Sequence, residues 1–211
     1  MKAMPRPELR GLYAITDEAL IPPGELPERV EAVLRGGARL VQYRAKHNTQ
    51  ETRLAEARAL AALCRQYDAL LIINDDPELA RRAGAHGVHL GREDTPLEAA
   101  RTLLGPGALI GVTCHADLER ARRMRDQGAD YLAFGRLFPS HTKPEAPPCP
   151  LSRLSEARTL GLPVCAIGGI DAGNAWQVVE AGADLLAVIH GLFGQPDPEA
   201  AARALSAHFH V

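Results

Sequence analysis

Residues 41–46 read VQYRAK, an apolar start that gives way to long polar side chains, and three later stretches repeat this pattern. They are LIIND at 71–75, VHLGRED at 88–94 and IGVTCH at 110–115. Parallel strands that close into a ring bring their carboxyl ends to one mouth, where side chains distant in sequence surround one ligand. The repeated pattern therefore predicts an enzyme site at the mouth of a parallel β-barrel.

Strand-like and helix-like patterns alternate along the whole chain. Short β-type runs occupy residues 12–16, 40–43, 70–73, 87–90, 109–112, 131–134, 164–167 and 185–189. Helical periodicity follows them near residues 27–36, 50–67, 77–84, 96–104, 117–128, 151–160, 172–182 and 198–208. These eight β/α units favour a (β/α)8 TIM barrel formed by residues 1–211 as a single domain. An open doubly wound sheet is the competing fold, but no Gly-x-Gly-x-x-Gly fingerprint follows an early strand.

Composition argues against several classes of partner. The chain has 211 residues and a formal net charge of -2, and its basic residues are scattered along predicted helices without interleaved aromatic residues. Nucleic acid is therefore not an expected partner. Residues 1–10 contain no apolar segment of the signal-peptide type, and no later stretch approaches the ~20 apolar residues of a membrane helix. We expect a cytoplasmic protein. The four cysteines lack the paired spacing of a zinc site or redox motif, and we expect most of them to be core or incidental thiols.

Two aspartates follow neighbouring predicted strands. Asp75 ends the third apolar run and Asp94 follows the fourth, so in a barrel the two would share one rim. Oxygen ligands of this kind favour Mg²⁺, whose shell is commonly completed by water and substrate phosphates. The alternative is that each aspartate caps the next helix, since Thr95-Pro96 and Asp76-Pro77 are good helix starts. The sequence leaves both interpretations open.

Two segments have the composition of anion sites. The long connection at residues 135–150 contains Ser140, Thr142 and Lys143, whose hydroxyl and ammonium groups suit a phosphate. At residues 166–170, AIGGI, a strand runs into paired glycines, which let backbone N–H groups approach a phosphate. The alternatives are a solvated surface loop for the first and a simple tight turn for the second.

Other polar residues also fall at predicted strand ends. Gln42, Arg44 and Lys46 alternate along the second strand and so share one face of it, which is hard to explain by packing and suits a polyanionic ligand. Among the histidines, His115 directly follows the fifth strand and is the main candidate for an acid or base. His190, after the eighth strand, is the next candidate.

Seven short motifs in order resemble the thiamine phosphate synthase family. They are YAITD at 13–17, the Gln42, Arg44 and Lys46 alternation, ND at 74–75, GVHLGRED at 87–94, GVTCH at 111–115, TK at 142–143 and IGGI at 167–170. The resemblance covers most of the chain. It implies a (β/α)8 barrel that joins a hydroxymethylpyrimidine pyrophosphate to a thiazole phosphate with Mg²⁺, giving thiamine phosphate and pyrophosphate.

The resemblance also implies roles for individual residues. Asp75 and Asp94 would hold Mg²⁺. Thr113 stands where the family usually has a serine beside the pyrimidine, and it retains the hydroxyl group. The pyrophosphate would be bound by Gln42, Arg44, Lys46, Asn74 and Lys143. The thiazole phosphate would be bound by Ser140, Thr142, Gly169, His190 and Gly191. The residues nearest the chemistry would be Arg44, Lys46, Thr113, His115 and Lys143.

This sequence departs from the family pattern in four places. Arg92 replaces a glutamine, Ala45 an acidic residue and His190 a common serine. The loop at residues 143–145 lacks a second lysine that the family often has. A related thiazole tautomerase on the same fold is the main alternative function, and it often lacks the metal and pyrophosphate residues retained here. A non-catalytic binder of thiamine or thiazole phosphate and a sugar-phosphate barrel enzyme are further alternatives. A homo-oligomer is left open.

Overall fold

The protein is described from a computed structural model, which covers residues 7–140, 142 and 145–209. Eight strands form a closed barrel in which each strand pairs in parallel with its neighbour in chain order, and the eighth pairs with the first. They are β1 Gly11–Ile15, β2 Leu40–Tyr43, β3 Leu70–Asn74, β4 Gly87–Leu90, β5 Leu109–His115, β6 Tyr131–Phe134, β7 Val164–Ile167 and β8 Leu185–Val188. The predicted (β/α)8 barrel is confirmed, and the open sheet is excluded.

Helices follow the strands and surround the barrel. They are α1 Leu26–Arg35, α2 Gln50–Gln66, α3 Pro77–Ala83, α4 Leu97–Leu104, α5 Leu118–Asp126, α6 Ser152–Arg158, α7 Ala175–Glu180, α8 His190–Phe193 and α9 Pro198–Ser206. The sequence did not predict α8, because four residues are too few to show helical periodicity. The predicted strand at 185–189 ends one residue early, at Val188, and the chain turns into α8.

Aspartate caps fix where several of these helices begin. Asp76, Asp117 and Asp197 each accept a hydrogen bond from the backbone N–H three residues later, at 2.9 Å. Such a bond satisfies one of the N–H groups that have no partner inside the first helical turn. Proline follows Asp76 and Asp197 at the first helical position, where its missing N–H costs nothing. Each cap sets the point at which a loop from the barrel mouth ends.

The core has two layers because side chains alternate along each strand. Leu12 and Ala14 of β1 point outward and join the larger apolar layer between barrel and helices. Tyr13 and Ile15 point inward and join the smaller layer inside the barrel, with Leu40, Ile72 and Leu185 among others. Inward positions near the carboxyl ends of the strands therefore form the floor of the mouth.

Two other expectations concern the membrane and the cysteines. Within the part of the chain that the structure covers, no helix combines the length and apolar character required to cross a membrane. All four cysteines are free thiols and all are buried: Cys64, Cys114, Cys149 and Cys165.

Candidate active site

A cavity of about 710 Å³ opens at the mouth formed by the carboxyl ends of the strands. Thirteen predicted site residues line it: Gln42, Arg44, Lys46, Asn74, Asp75, Asp94, Thr113, His115, Ser140, Thr142, Gly169, His190 and Gly191. The remaining one, Lys143, lies outside the described residues. The structure thus brings every described candidate to one place, and their individual roles stay predictions.

The two predicted metal ligands lie against each other. The side chains of Asp75 and Asp94 are within hydrogen-bonding distance, and burial together with the Asp94 carboxyl raises the pKa of Asp75 to about 6. The Asn74 amide donates to Asp75 Oδ2 at 2.7 Å, and Lys46 Nζ is 4.0 Å from the same oxygen. Asp75 has a φ of 64°, a value that is uncommon outside glycine.

The helix-cap interpretation of these two aspartates is wrong. Asp76, not Asp75, caps α3. Pro96 precedes α4 without a side-chain cap, and Asp94 Oδ2 instead accepts the Gly91 N–H at 2.6 Å. Both carboxylates are therefore turned into the mouth, where a like-charged pair is unfavourable unless a proton or cation lies between them.

Two basic residues that line the same cavity, Arg44 and Lys46, are held by groups on the loop after β1. Arg44 Nη1 donates to Asp17 Oδ2 at 3.0 Å, and the Arg44 backbone N–H donates to Thr16 Oγ1 at 2.9 Å. Glu18 Oε1 accepts the backbone N–H of Lys46 at 3.0 Å. Because β2 ends at Tyr43, Arg44 and Lys46 reach the cavity from this supported loop and not, as the alternation suggested, from the strand itself.

The paired glycines pack closely against the long loop after β6. Gly168 and Gly169 have φ values of 102° and 65°, and a Cβ on Gly169 would overlap the carbonyl oxygen of Pro139. The Phe138 N–H donates to the Gly168 carbonyl at 3.0 Å, which joins the two segments. This packing holds Ser140 beside the glycines, so the two predicted anion segments line one side of the cavity.

His115 lies at an irregular point of the barrel. The pairing of β5 with β6 shifts register between Thr113 and His115, and His115 has a φ of 56°. Its carbonyl accepts the Gly135 N–H at 3.1 Å, so the bulge is tied to the start of the long loop. The bulge redirects the His115 side chain into the cavity, as bulges beside active sites commonly do.

Several cavity residues were missed by sequence reasoning. Tyr13 and His89 line its floor, and Arg136 lines its side, where its Nε donates to the Ala146 carbonyl at 2.7 Å. His89 is hydrogen-bonded within the protein and also faces the cavity. The alternation of side chains along a strand could have identified Tyr13 and His89, because both occupy inward positions of their strands, β1 and β4. Arg136 lies in a loop, where no such alternation applies.

The fold and the mouth define a (β/α)8-barrel enzyme with a charged cavity that suits phosphorylated small molecules. The family model described as thiamine monophosphate synthase matches residues 12–192, and the chain belongs to this family. It is 56% identical over 204 residues to the thiamine-phosphate synthase of Thioalkalivibrio sulfidiphilus, covering 96% of this chain and 97% of the relative. The thiamine-phosphate synthase of Alcanivorax borkumensis is 54% identical over 210 residues, covering 98% and 97%.

A solved structure agrees with these relatives. The thiamine phosphate pyrophosphorylase of Pyrococcus furiosus superposes with a TM-score of 0.88 at 35% identity, covering 96% of each chain. The resemblance seen in the short motifs is therefore confirmed. The chain is an enzyme of the transferase class, and the comparisons support a thiamine-phosphate synthase function.

Proposed function

We propose that this enzyme couples 4-amino-2-methyl-5-hydroxymethylpyrimidine pyrophosphate to a thiazole phosphate, with Mg²⁺, and releases thiamine phosphate and pyrophosphate. The observation that carries the proposal is the Asp75–Asp94 pair at the rim, with Lys46 4.0 Å from Asp75 and Arg44 lining the same cavity. A substrate with a pyrophosphate leaving group needs this combination of carboxylates for a cation and basic groups for phosphate oxygens.

The carboxylate pair fits Mg²⁺. Across the described residues no cluster of three or more His, Cys, Asp or Glu side chains is arranged to hold a metal. Mg²⁺ needs no such cluster, because it is commonly bound by one or two carboxylates and completes its octahedral shell with waters and substrate phosphates. Asp75 and Asp94 would hold the ion, and it would supply charge neutralisation for the departing pyrophosphate.

The protein's own groups account for the rest of the reaction. The bond between the pyrimidine methylene carbon and the pyrophosphate oxygen breaks, the oxygen keeps the electron pair, and the thiazole nitrogen forms the new bond to carbon. Arg44 and Lys46 would stabilise the charge on the leaving oxygens from fixed positions, since Asp17 and Glu18 already hold their loop. Ser140, Thr142 and the segment at Gly169 would bind the thiazole phosphate across the cavity. No proton transfer is required at the bond-forming step.

A coupling assay tests the proposal. Purified enzyme is incubated with both substrates and Mg²⁺, with and without EDTA, and thiamine phosphate and pyrophosphate are quantified together. We expect equal amounts of the two products, a loss of both with EDTA, and no turnover by Asp94→Ala. Full activity of Asp94→Ala would refute the metal site. Folded protein that forms neither product would refute the synthase and favour the tautomerase or a binding role.

His115 separates the synthase from the tautomerase. In a synthase His115→Ala should cause only a modest loss, because the coupling step needs no acid or base at this position. In a tautomerase, which moves a proton by means of a histidine, the same variant should be nearly inactive. Both activities are measured for the same preparation.

A further inference from the structure

A chain of hydrogen bonds crosses the floor of the cavity and joins residues of five strands, β1, β2, β4, β5 and β6. The Gln42 amide donates to the Tyr13 hydroxyl at 2.7 Å, and the hydroxyls of Tyr13 and Tyr131 are 2.9 Å apart. His89 Nδ1 is 3.0 Å from the Tyr131 hydroxyl, and its Nε2 is 2.9 Å from Thr113 Oγ1. Gln42 and both tyrosines are buried, whereas Thr113 faces the cavity.

The barrel register explains why these groups meet. His89 of β4 lies opposite Gly111 of β5, and Gly111 in turn lies opposite Tyr131 of β6. A Cβ on Gly111 would overlap the Tyr131 ring. Because glycine leaves that space empty, the His89 and Tyr131 rings stack across it with centroids 5.6 Å apart. The Tyr13 ring meets Tyr131 edge-on, at 6.0 Å and 83°.

We propose that this chain runs in one direction and fixes the Thr113 hydroxyl as a hydrogen-bond donor toward the substrate. Its members, in order, are Gln42, Tyr13, Tyr131, His89 and Thr113. His89 and Tyr131 are then positioning residues that act through Thr113. The identity of the substrate rests on the proposed function, whereas the direction of the chain does not.

The first three members set the direction. An amide nitrogen has hydrogens to give and cannot accept, so the Tyr13 oxygen accepts from Gln42. The single Tyr13 proton then goes to the Tyr131 oxygen. In the reverse direction the Tyr13 oxygen would accept twice, and its proton would have no acceptor among the described residues, at a side chain only 1% exposed. A buried donor without an acceptor is unfavourable.

The direction then passes through the imidazole to the cavity. Tyr131 gives its proton to Nδ1 of His89, so the neutral ring carries its hydrogen on Nε2 and donates it to Thr113 Oγ1. Thr113 has already accepted from within the protein, and its own proton is directed into the cavity. The substrate atom that it meets must be an acceptor, such as a ring nitrogen or a pyrophosphate oxygen. If the Thr113 hydroxyl were free to rotate, it would bind a donor and an acceptor of the substrate equally well.

A double-mutant cycle tests whether Tyr131 acts through Thr113. Tyr131→Phe removes the central hydroxyl and keeps the ring, and we expect kcat/KM for the pyrimidine substrate to fall by about 5- to 10-fold. The KM for thiazole phosphate should stay within about twofold, because that subsite lies elsewhere in the cavity. In a Thr113→Val background, Tyr131→Phe should have no further effect. Losses that multiply in the double variant would overturn the proposal.

Tyr43→Phe is the matched control. The Tyr43 hydroxyl also donates to a side chain, Glu56 Oε2 at 2.5 Å, but Tyr43 packs in the outer apolar layer and does not line the cavity. The Tyr43→Phe variant shows what the loss of a tyrosine hydrogen bond does to the fold when the cavity is not affected. Its kcat/KM should equal that of the wild type. A loss equal to that of Tyr131→Phe would make the effect structural and overturn the proposal.

Nitrogen-15 NMR tests the direction without any assay of activity. The two ring nitrogens of His89, assigned by difference from His89→Gln, should show a protonated Nε2 and a bare Nδ1 in the wild type. The opposite tautomer would overturn the one-way chain even if the variants lose activity. Failure of the wild type to form thiamine phosphate would refute the proposed function, and the NMR result would still decide the direction.

Discussion

Replacing Asp75 with asparagine should make the protein more stable and inactive at the same time. The pKa of Asp75 is raised from its ordinary value of 3.8 to about 6, first by burial and then by the Asp94 carboxyl. This shift of about two units corresponds to about 3 kcal/mol against the charged form in the folded state. Because the side chain is 34% exposed, screening reduces the figure to about 1–2 kcal/mol.

The sign follows from proton binding. Between about pH 4 and pH 6 the folded protein holds a proton on Asp75 that the unfolded chain has already released. The free energy of unfolding therefore falls as pH rises through this window and stays low above it. Asp75→Asn removes the charge and keeps the shape, so at pH 7.5 without metal its free energy of unfolding should rise by about 1–2 kcal/mol. The variant should also lose this pH dependence.

Urea unfolding at pH 4.5 and pH 7.5, together with the coupling assay, measures both effects. Asp76→Asn is the matched control, because the neighbouring carboxylate caps α3 and pairs with Arg53 at 3.3 Å. Asparagine is also a good cap, so this variant should keep its activity and lose at most about 1 kcal/mol. If Asp75→Asn destabilises the protein at pH 7.5, or stays active with Mg²⁺, the carboxylate pair is not a strained metal site.

Three further perturbations test separate parts of the cavity. Lowering the pH from 7.5 to 5 should weaken the apparent Mg²⁺ affinity by about tenfold, because a proton then competes for the carboxylate pair. The affinity is measured by titration calorimetry with pyrophosphate present, and an unchanged affinity would contradict the prediction. Asp17→Asn should raise the KM for the pyrophosphate substrate several-fold by releasing Arg44, whereas Glu199→Gln, which breaks a surface ion pair at 2.8 Å, should leave steady-state kinetics unchanged. Gly169→Ala should cost about 1–3 kcal/mol, because its φ is 65° and a Cβ would overlap Pro139, and should raise the KM for thiazole phosphate; a wild-type KM would show that this turn is not at the phosphate.

The strand order and the rim could be predicted because both depend on local signals. An apolar run followed by polar residues marks a strand and its carboxyl end, and closure of a parallel barrel places all of these ends at one mouth. That is why β2, β4, β6 and β7 have the predicted bounds. The short helix α8 lacks such a signal, and the bulge before His115 depends on how β5 meets β6 and not on either sequence alone.

The floor of the cavity was harder to predict, because its polar residues look like core residues in sequence. Tyr13 and Tyr131 lie in strands that read as buried, and nothing local indicates that their hydroxyls meet 118 positions apart in the chain. Gly111 is the residue that could have indicated this contact, since its lack of a side chain leaves the space that the Tyr131 ring fills. A glycine in the middle of a strand weakens that strand, so it indicates a close approach by another group. In this barrel that approach joins the buried tyrosines, through His89, to the Thr113 hydroxyl that faces the cavity.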